Sequence, residues 1–352
     1  MKFLIVADMH LAYTSSILPL YKENSKYTTR LQYMIDTVKW YEELAKKENV
    51  DYIINLGDLT DSNILRAEEL TALGEIKWAN LSHVFLVGNH DMSRSSLELS
   101  SSHLFNLCPK TKVIDTPTSY KIDDGEVEIC FLPYIVNPQE PIKYYLNLEN
   151  EHKRRIVLSH NDIKGINYGA FVSKSGFDIK DIEQFCTLFL NGHLHDKQDI
   201  TYKIKNIGSL SAHNFSNDSF KYSYGATILD TSPLNTHIEF YENPYSFNFY
   251  KIEAKDVKDC EAKLNKTKQN SVVTIKCLDK YLTDIKALLP NYNNIVESRV
   301  IIELDTKTNG ALLENKSVEF NKVDHIKTFK EYITSTLGNS DIINEELGEI
   351  SK

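Results

Sequence analysis

The sequence predicts a layered α/β fold, followed by a smaller α/β unit and a C-terminal helical tail. Three observations predict it. Five short apolar runs without clean alternation punctuate the first part of the chain, and stretches of helical periodicity lie between them. From about Asp199 the texture changes to closely spaced strands, and later to a short alternation of helix and strand.

The five runs are Phe3–Ala7, Tyr52–Leu56, His83–Val87, Arg155–Leu158 and Thr187–Leu190. Each is rich in Val, Ile, Leu or Phe, which suits strands buried on both faces. Between the first two, Ser25–Glu48 reads as a helix. Leu31, Ile35, Val38 and Leu44–Ala45 recur there at helical spacing, behind the Ser and Thr residues of 25–29. Ile64–Leu81 reads as a second helix despite Gly74, and Ile179–Phe185 as a shorter one. Lys203–Ile207, Tyr224–Leu229, His237–Tyr241 and Ser246–Ile252 read as strands that close the first domain, with Asn243-Pro244 as punctuation. A helix at Val257–Leu264, a strand at Val272–Ile275, a helix at Tyr281–Leu289 and a strand at Arg299–Leu304 form the small unit. A polar stretch, Asp305–Glu314, precedes His325–Leu337, where Ile326, Phe329, Ile333 and Leu337 share one helical face. The expected division is therefore 1–245, 246–305 and 306–352.

With 352 residues the chain is long enough for two or three domains. The N-terminal apolar run is too short for an export signal and meets Asp8 at once. No apolar stretch approaches membrane-spanning length, so a cytoplasmic protein without a membrane partner is expected. Five cysteines lie far apart with no CxxC, which suits reduced, packed thiols. The formal net charge of −9 argues mildly against a nucleic-acid partner. Bound divalent cations can override that balance locally.

The residues just beyond each run carry the chemistry. The first run releases Asp8-Met-His10, the second Gly57-Asp58, the third Gly88-Asn89-His90-Asp91. The fourth releases Ser159-His160 and the fifth Asn191-Gly192-His193-Leu194-His195. In layered α/β folds sites are built at that edge of the strands. Asp8 and His10 stand two apart, so an extended backbone would present both on one side. Asp58 can bridge two cations with its two oxygens. Asn89 offers a neutral oxygen, and His160, His193 and His195 offer imidazole nitrogens. These seven side chains suffice for two divalent ions about 4 Å apart, the arrangement that activates water for in-line attack on phosphorus. Mixed nitrogen and oxygen donors without thiolate favour Mn²⁺ or Fe²⁺ over Mg²⁺. Any one of these motifs alone is ordinarily a turn or a satisfied core histidine. Five in order at strand ends are not.

The order D-x-H, GD, GNHD, H, GHxH resembles that of the calcineurin-like metallophosphoesterases, which implies a β-sandwich flanked by helices. The resemblance assigns Asp8, His10, Asp58 and His195 to one metal, and Asp58, Asn89, His160 and His193 to the other. It makes His90 the residue that stabilises phosphate charge and helps the leaving oxygen depart, with Asp91 holding its imidazole in the right tautomer. Phosphoprotein phosphatases of the superfamily carry an arginine soon after GD and end the next motif in Glu, whereas this chain reads GDLTDSN and GNHD. The long helical insert between His10 and Asp58 and the line LSHNDIKG resemble the SbcD/Mre branch of DNA-repair nucleases. The stretch NGHLHDKQDITYKIKNIGSLSAHNF is similar to the recombination exonuclease subunits of T-even-like phages. Ile207-Gly208-Ser209 departs from that branch's Pro-Gly-Ser, and Asp61 stands where some members have a histidine tied to endonuclease activity.

The resemblance implies a two-metal DNA nuclease, 3′-to-5′ on duplex DNA and able to cut single strands, working as a homodimer with an SbcC/Rad-type coiled-coil ATPase in a heterotetramer. The 246–305 unit would cap and guide DNA, and the 325–337 helix would dock on the ATPase. Arg94, Arg154 and Arg155 are candidate DNA contacts; the cluster His152-Lys-Arg-Arg155 also reads as a solvated strand entrance. His83, His103, His237 and His325 read as surface or core histidines, and His213 is the exception to watch. Two other functions compete. One is a small-molecule phosphomonoesterase or cyclic-nucleotide phosphodiesterase, which the extra C-terminal unit disfavours. The other is a non-catalytic scaffold for the ATPase, disfavoured by the complete ligand set. The chain itself has no Walker-type GxxxxGK[ST] loop.

Overall fold

Strand β1 (Lys2–Val6) shows why the apolar runs lack alternation. Leu4 and Val6 face one core, beneath helices, while Phe3 and Ile5 face another, between two sheets. Both faces are covered, so both must be apolar. The computed structural model describes residues 1–13, 25–76, 78–147, 154–166, 172–232 and 236–303.

Helix α1 (Thr29–Lys47) comes next. Thr28 caps it, its hydroxyl accepting from Leu31 N at 3.2 Å, and Lys46 and Lys47 complement the dipole in its last turn. Its buried face carries Leu31, Ile35, Val38 and Ala45, as the periodicity predicts. After β2 (Tyr52–Asn55), helix α2 spans only Ala67–Glu75. The predicted helix over Ile64–Leu81 is cut short because Ile76 turns extended, and a 3₁₀ turn at Trp78–Asn80 leads into β3 (Ser82–Leu86). A small hairpin of β4 (Met92–Ser93) and β5 (Ser96–Ser100) precedes β6 (Thr111–Ile114), β7 (Thr118–Ile122) and β8 (Val127–Leu132). None of β6, β7 and β8 was expected from the pattern of apolar runs. Strand β8 is buried at every residue, yet Glu128 disguises it. That carboxylate is registered opposite Arg155, whose Nε donates to it at 2.6 Å, so the charge is neutralised by a partner from another part of the chain.

Next come α3 (Ile142–Tyr145), β9 (Arg155–Ser159), α4 (Ile179–Phe185), β10 (Leu188–Asn191), β11 (Gln198–Asp199), β12 (Ile204–Asn206), β13 (Gly225–Asp230) and β14 (His237–Glu242). Two six-stranded sheets result. One has the order β14-β13-β1-β2-β3-β6 and the other β11-β12-β10-β9-β8-β7. Their interior strands run parallel: β1, β2 and β3 in the first sheet, and β8, β9, β10 and β12 in the second. Ile5, Ile54, Leu86, Ile129, Leu158 and Leu190 fill the space between the sheets. The outer face of the first sheet packs on α1 and α2, and that of the second on α3 and α4. The product is a four-layer sandwich with helices outside, in which all the parallel strands present buried surface on two sides.

Strand β15 (Asn248–Glu253) was read among the strands that close the first domain, although the expected division placed it in 246–305. It pairs instead with β16 (Ser271–Leu278), which pairs in turn with β17 (Ile295–Glu303), making a separate three-stranded parallel sheet. Helices α5 (Val257–Leu264) and α6 (Leu282–Leu288) connect these strands, and Tyr250, Ile252, Cys260, Leu264, Ile275 and Ile285 form their core. Met1–Glu303 clusters as one compact unit. The tail residues Ile326, Phe329, Ile333 and Leu337, with 306–352 as a whole, lie outside the described residues, as does His152. Among the described residues no helix is long and apolar enough to cross a membrane.

Candidate metal centre

Parallel strands deliver their C-terminal ends to one rim. Here β1, β2 and β3 of the first sheet meet β9 and β10 of the second, and the residues just beyond them are stitched together. Asp8 N donates to Gly57 O at 3.1 Å, His10 N to Asp58 O at 3.0 Å, and Gly192 N to Ser159 O at 2.9 Å. The backbone of His193 donates to both oxygens of Asp8 at 3.0 Å.

The expected extended backbone at Asp8 and His10 is not what brings them together. Both are left-handed, with φ of 50° and 47°, as are Asp58 at 51° and His193 at 73°. Each such non-glycine residue costs on the order of 1 kcal/mol. Outside bonds hold the first turn in this state: Arg30 Nη2 donates to His10 O at 3.1 Å, and the His213 ring meets Asp8 O at 3.0 Å through Nε2.

All seven predicted donors converge. Asp58 Oδ2 stands 3.2 Å from His160 Nε2 and 3.7 Å from His10 Nε2. His160 Nε2 is also 3.2 Å from Asn89 Oδ1, and His10 Nε2 is 3.1 Å from His195 Nε2. Asp8, His10 and Asp58 form one close group of donor atoms, and Asp58, His160 and His193 another. Asp58 thus belongs to both groups. Its Oδ1 accepts from His90 N at 2.8 Å, which ties the loop after β3 to this carboxylate.

The donor set fits a pair of divalent cations. Ligand atoms that share an ion at about 2.1 Å stand a little over 3 Å apart, the spacing seen here. His160 Nδ1 is buried without a hydrogen-bond partner, and the Asp8 and Asp58 carboxylates are both buried. Burial pushes the Asp8 carboxyl up, as does the neighbouring Asp58 charge, against the pull of His160. Burial would raise Asp58 too, but His160 and His10 hold it well below the carboxylate range. Burial opposes charging His160, yet Asp58 lifts it to about 9; burial and His10 push His195 down to about 3. The cluster therefore demands positive charge at its centre, which a proton on His160 or a cation can supply.

His90 lies exposed at the rim, its ring 4.6 Å from that of His10. Its Nδ1 meets Asp61 O at 2.9 Å. Asp91 does not hold this imidazole. Its carboxylate is fully buried, with Oδ1 accepting from Thr60 N and Thr60 Oγ1 and Oδ2 from Gly88 N. It ties the loop after β2 to the loop after β3. Arg94 is exposed in the β4–β5 turn. Arg154 and Arg155 sit at the opposite end of β9 from His160, so neither faces the centre. Arg155 is buried against Glu128 and Phe185 O, and Arg154 bonds Thr231 O, Ser232 O and Thr236 Oγ1. They hold the fold together where DNA contacts were expected.

Four neighbours of the centre escaped the sequence reading or were left aside in it. Asp61 Oδ1 is 3.2 Å from His10 Nδ1. The ring of His213 packs on those of His10 and His195. Asp162 Oδ1 is 3.2 Å from His193 Nε2, and Tyr134 OH donates to Asp162 Oδ2 at 3.1 Å. The spacing His160-x-Asp162 was a signal for the third, since residues two apart at a strand end share a side. Nothing local marks Tyr134.

Comparison with known proteins places these features in context. The profile of the calcineurin-like phosphoesterase family matches residues 1–197. The chain is 26% identical over 204 residues to the DNA double-strand break repair protein Mre11 of Sulfurisphaera tokodaii, covering 56% of this chain and 49% of that protein. The match thus spans about half the length of that relative. Among solved structures, a dimetal phosphatase from Danio rerio superposes with a TM-score of 0.42 at 12% identity, covering 69% of this chain and 96% of that one. The calcineurin-like phosphoesterase YfkN from Bacillus subtilis gives 0.38 at 11% identity, covering 69% and 90%.

Proposed function

Because the chain belongs to the calcineurin-like phosphoesterase family, whose members use a dimetal centre, we propose that it is a two-metal DNA nuclease of the SbcD/Mre branch. One observation carries this reading: side chains from five strand ends gather around Asp58, with His10 and His160 both facing its Oδ2. The choice of DNA as substrate is supported by the likeness to a DNA double-strand break repair protein.

Asp8, His10, Asp58 and His195 hold one ion, and Asp58, Asn89, His160 and His193 the other, with Mn²⁺ the preferred occupant of this nitrogen–oxygen set. Such a pair of ions activates water and polarises a phosphoryl group. The chain's own residues do the rest. Two buried carboxylates would repel a phosphodiester, so substrate binding depends on the cations being in place. His90 stands at the mouth, and its Nδ1–H donates to Asp61 O, which leaves Nε2 as the atom that holds or releases a proton to the departing oxygen. Asp91 keeps Asn89 and His90 in place through the bonds to Gly88 and Thr60.

The likeness to the same branch extends this reading. On this reading the enzyme degrades duplex DNA 3′-to-5′ and cuts single strands, the activities that the resemblance to the SbcD/Mre branch implies, in the cytoplasm. Exposed Arg94 contacts a backbone phosphate, the 246–305 unit guides DNA, and the 325–337 segment docks a coiled-coil ATPase in a heterotetramer built on a nuclease dimer.

The test is an assay of the purified chain with Mn²⁺ on labelled duplex DNA, on single strands and on p-nitrophenyl esters, beside Asp58→Asn. Mn²⁺-dependent DNA degradation that the variant loses is the expected result. Rapid monoester turnover without DNA cleavage would transfer the function to a small-molecule phosphatase. Inactivity on every substrate, even with the ATPase supplied, would favour a scaffold.

A further inference from the structure

We propose that Asp162, oriented by Tyr134, is a positioning residue for His193: its carboxylate accepts the Nε2 proton of that ring and so directs the Nδ1 lone pair to the ion shared with Asp58, Asn89 and His160. This rests on the two-metal reading above and goes beyond it, by assigning a residue outside the seven donors.

The position of Asp162 is built by its neighbours. Asn161 turns inward, its amide donating to Leu132 O, Pro133 O and Ser159 Oγ, so His160 and Asp162 on either side are left to face the rim. Phe177 N donates to Asp162 O at 3.0 Å. Gly176, at φ +107°, packs on that same carbonyl so closely that a Cβ would stand 2.3 Å from it. The carboxylate is then divided. Oδ2 accepts from Tyr134 OH at 3.1 Å, and Oδ1 lies 3.2 Å from His193 Nε2. The Tyr134 ring flanks that of His193 at 5.5 Å and 44°.

A neutral imidazole has one protonated and one bare nitrogen. The nitrogen that faces a carboxylate acceptor keeps the proton, so the other keeps the lone pair. From the opposite side, the His193 backbone N–H is held by both oxygens of Asp8. The ring is thereby fixed in direction and in tautomer before any cation arrives. The other group of donors, around Asp8, His10 and His195, makes no use of this pair. The effect of Asp162 should fall on one ion of the two.

The experiment titrates Mn²⁺ alone into the full chain by calorimetry and tracks the manganese EPR spectrum. The wild type is expected to bind two ions and give a spin-coupled pair. Asp162→Ala should keep one ion near its original affinity, weaken the other by about 10–100-fold and lose the coupled signal. Asp162→Asn, whose amide oxygen still accepts from Nε2–H, should recover most of the loss, which a merely structural role would not predict. The inference is overturned if Asp162→Ala binds both ions like the wild type, weakens both alike, or is matched by Asp162→Asn. A wild type that binds no ion pair would instead overturn the two-metal reading, and this inference with it.

Discussion

Adding one methyl group at Gly88 tests the site more sharply than removing a ligand. A Cβ at this position would lie 2.2 Å from Asp58 Oδ1, 2.3 Å from Asp58 N and 2.9 Å from Asp58 Cγ. Ordinary contact begins near 3.4 Å, so the overlap exceeds 1 Å. The carboxylate could rotate away, but the backbone nitrogen cannot. Relief therefore requires the loop after β2 to shift by roughly an ångström, whereas metal sites tolerate distance errors of about 0.2 Å. Overpacking of this kind costs about 1–3 kcal/mol in the free protein. The larger consequence is for the cations. At about 100 times its Kd a bound ion stabilises a protein by about 2.7 kcal/mol, and Gly88→Ala should forfeit that gain. The assay is thermal unfolding with EDTA and with saturating Mn²⁺. Gly74→Ala is the matched control, since nothing lies within 4 Å of its Cβ and the position is in α2. It should gain roughly 0.5–1 kcal/mol through helix propensity and retain the whole Mn²⁺ shift. If Gly88→Ala unfolds like the wild type in EDTA and still responds to Mn²⁺, the close approach of the two loops is wrong.

Two further outcomes are expected. Arg155→Met leaves Glu128 buried without its cation and should lower stability in urea by about 3–5 kcal/mol, while Glu128→Leu combined with Arg155→Met restores most of it; a loss of DNA affinity without loss of stability would reinstate Arg155 as a DNA contact. His83 is buried against Trp78 and Phe85, and burial pushes its pKa down to about 4. Glu42 Oε1, 3.8 Å from its Nε2, is too far to hydrogen-bond, and burial raises that carboxyl as well. Above about pH 6.5 the ring is neutral in both the folded and unfolded states. Between there and pH 4 the unfolded chain takes up a proton that the folded chain refuses, so stability falls with pH by up to about 3 kcal/mol. His83→Asn should flatten that limb; an unchanged slope in urea titrations from pH 7 to 4 would show that His83 does not cause it.

The sequence by itself determined the strands that need no partner to be recognised. Phe3–Ala7, Tyr52–Leu56 and His83–Val87 are apolar on both faces because both faces are covered, and each ends in a polar side chain that a buried strand has no other reason to carry. The same logic singled out the seven side chains that the structure brings together. The features it did not determine depend on residues distant in the chain. Strand β8 is buried only because Arg155 neutralises Glu128, and that pairing exists only in the sheet. Asp91 stands next to His90 in the chain, and the family resemblance assigned it to that imidazole. The tertiary structure instead sends the carboxylate to Gly88 and Thr60 and supplies His90 with the Asp61 carbonyl. Asp8 and His10 meet the centre through left-handed turns that Arg30 and His213 stabilise, not through alternation along a strand. Periodicity reports burial, which is a property of a segment. Hydrogen-bond partners and ion pairs are properties of the packed whole.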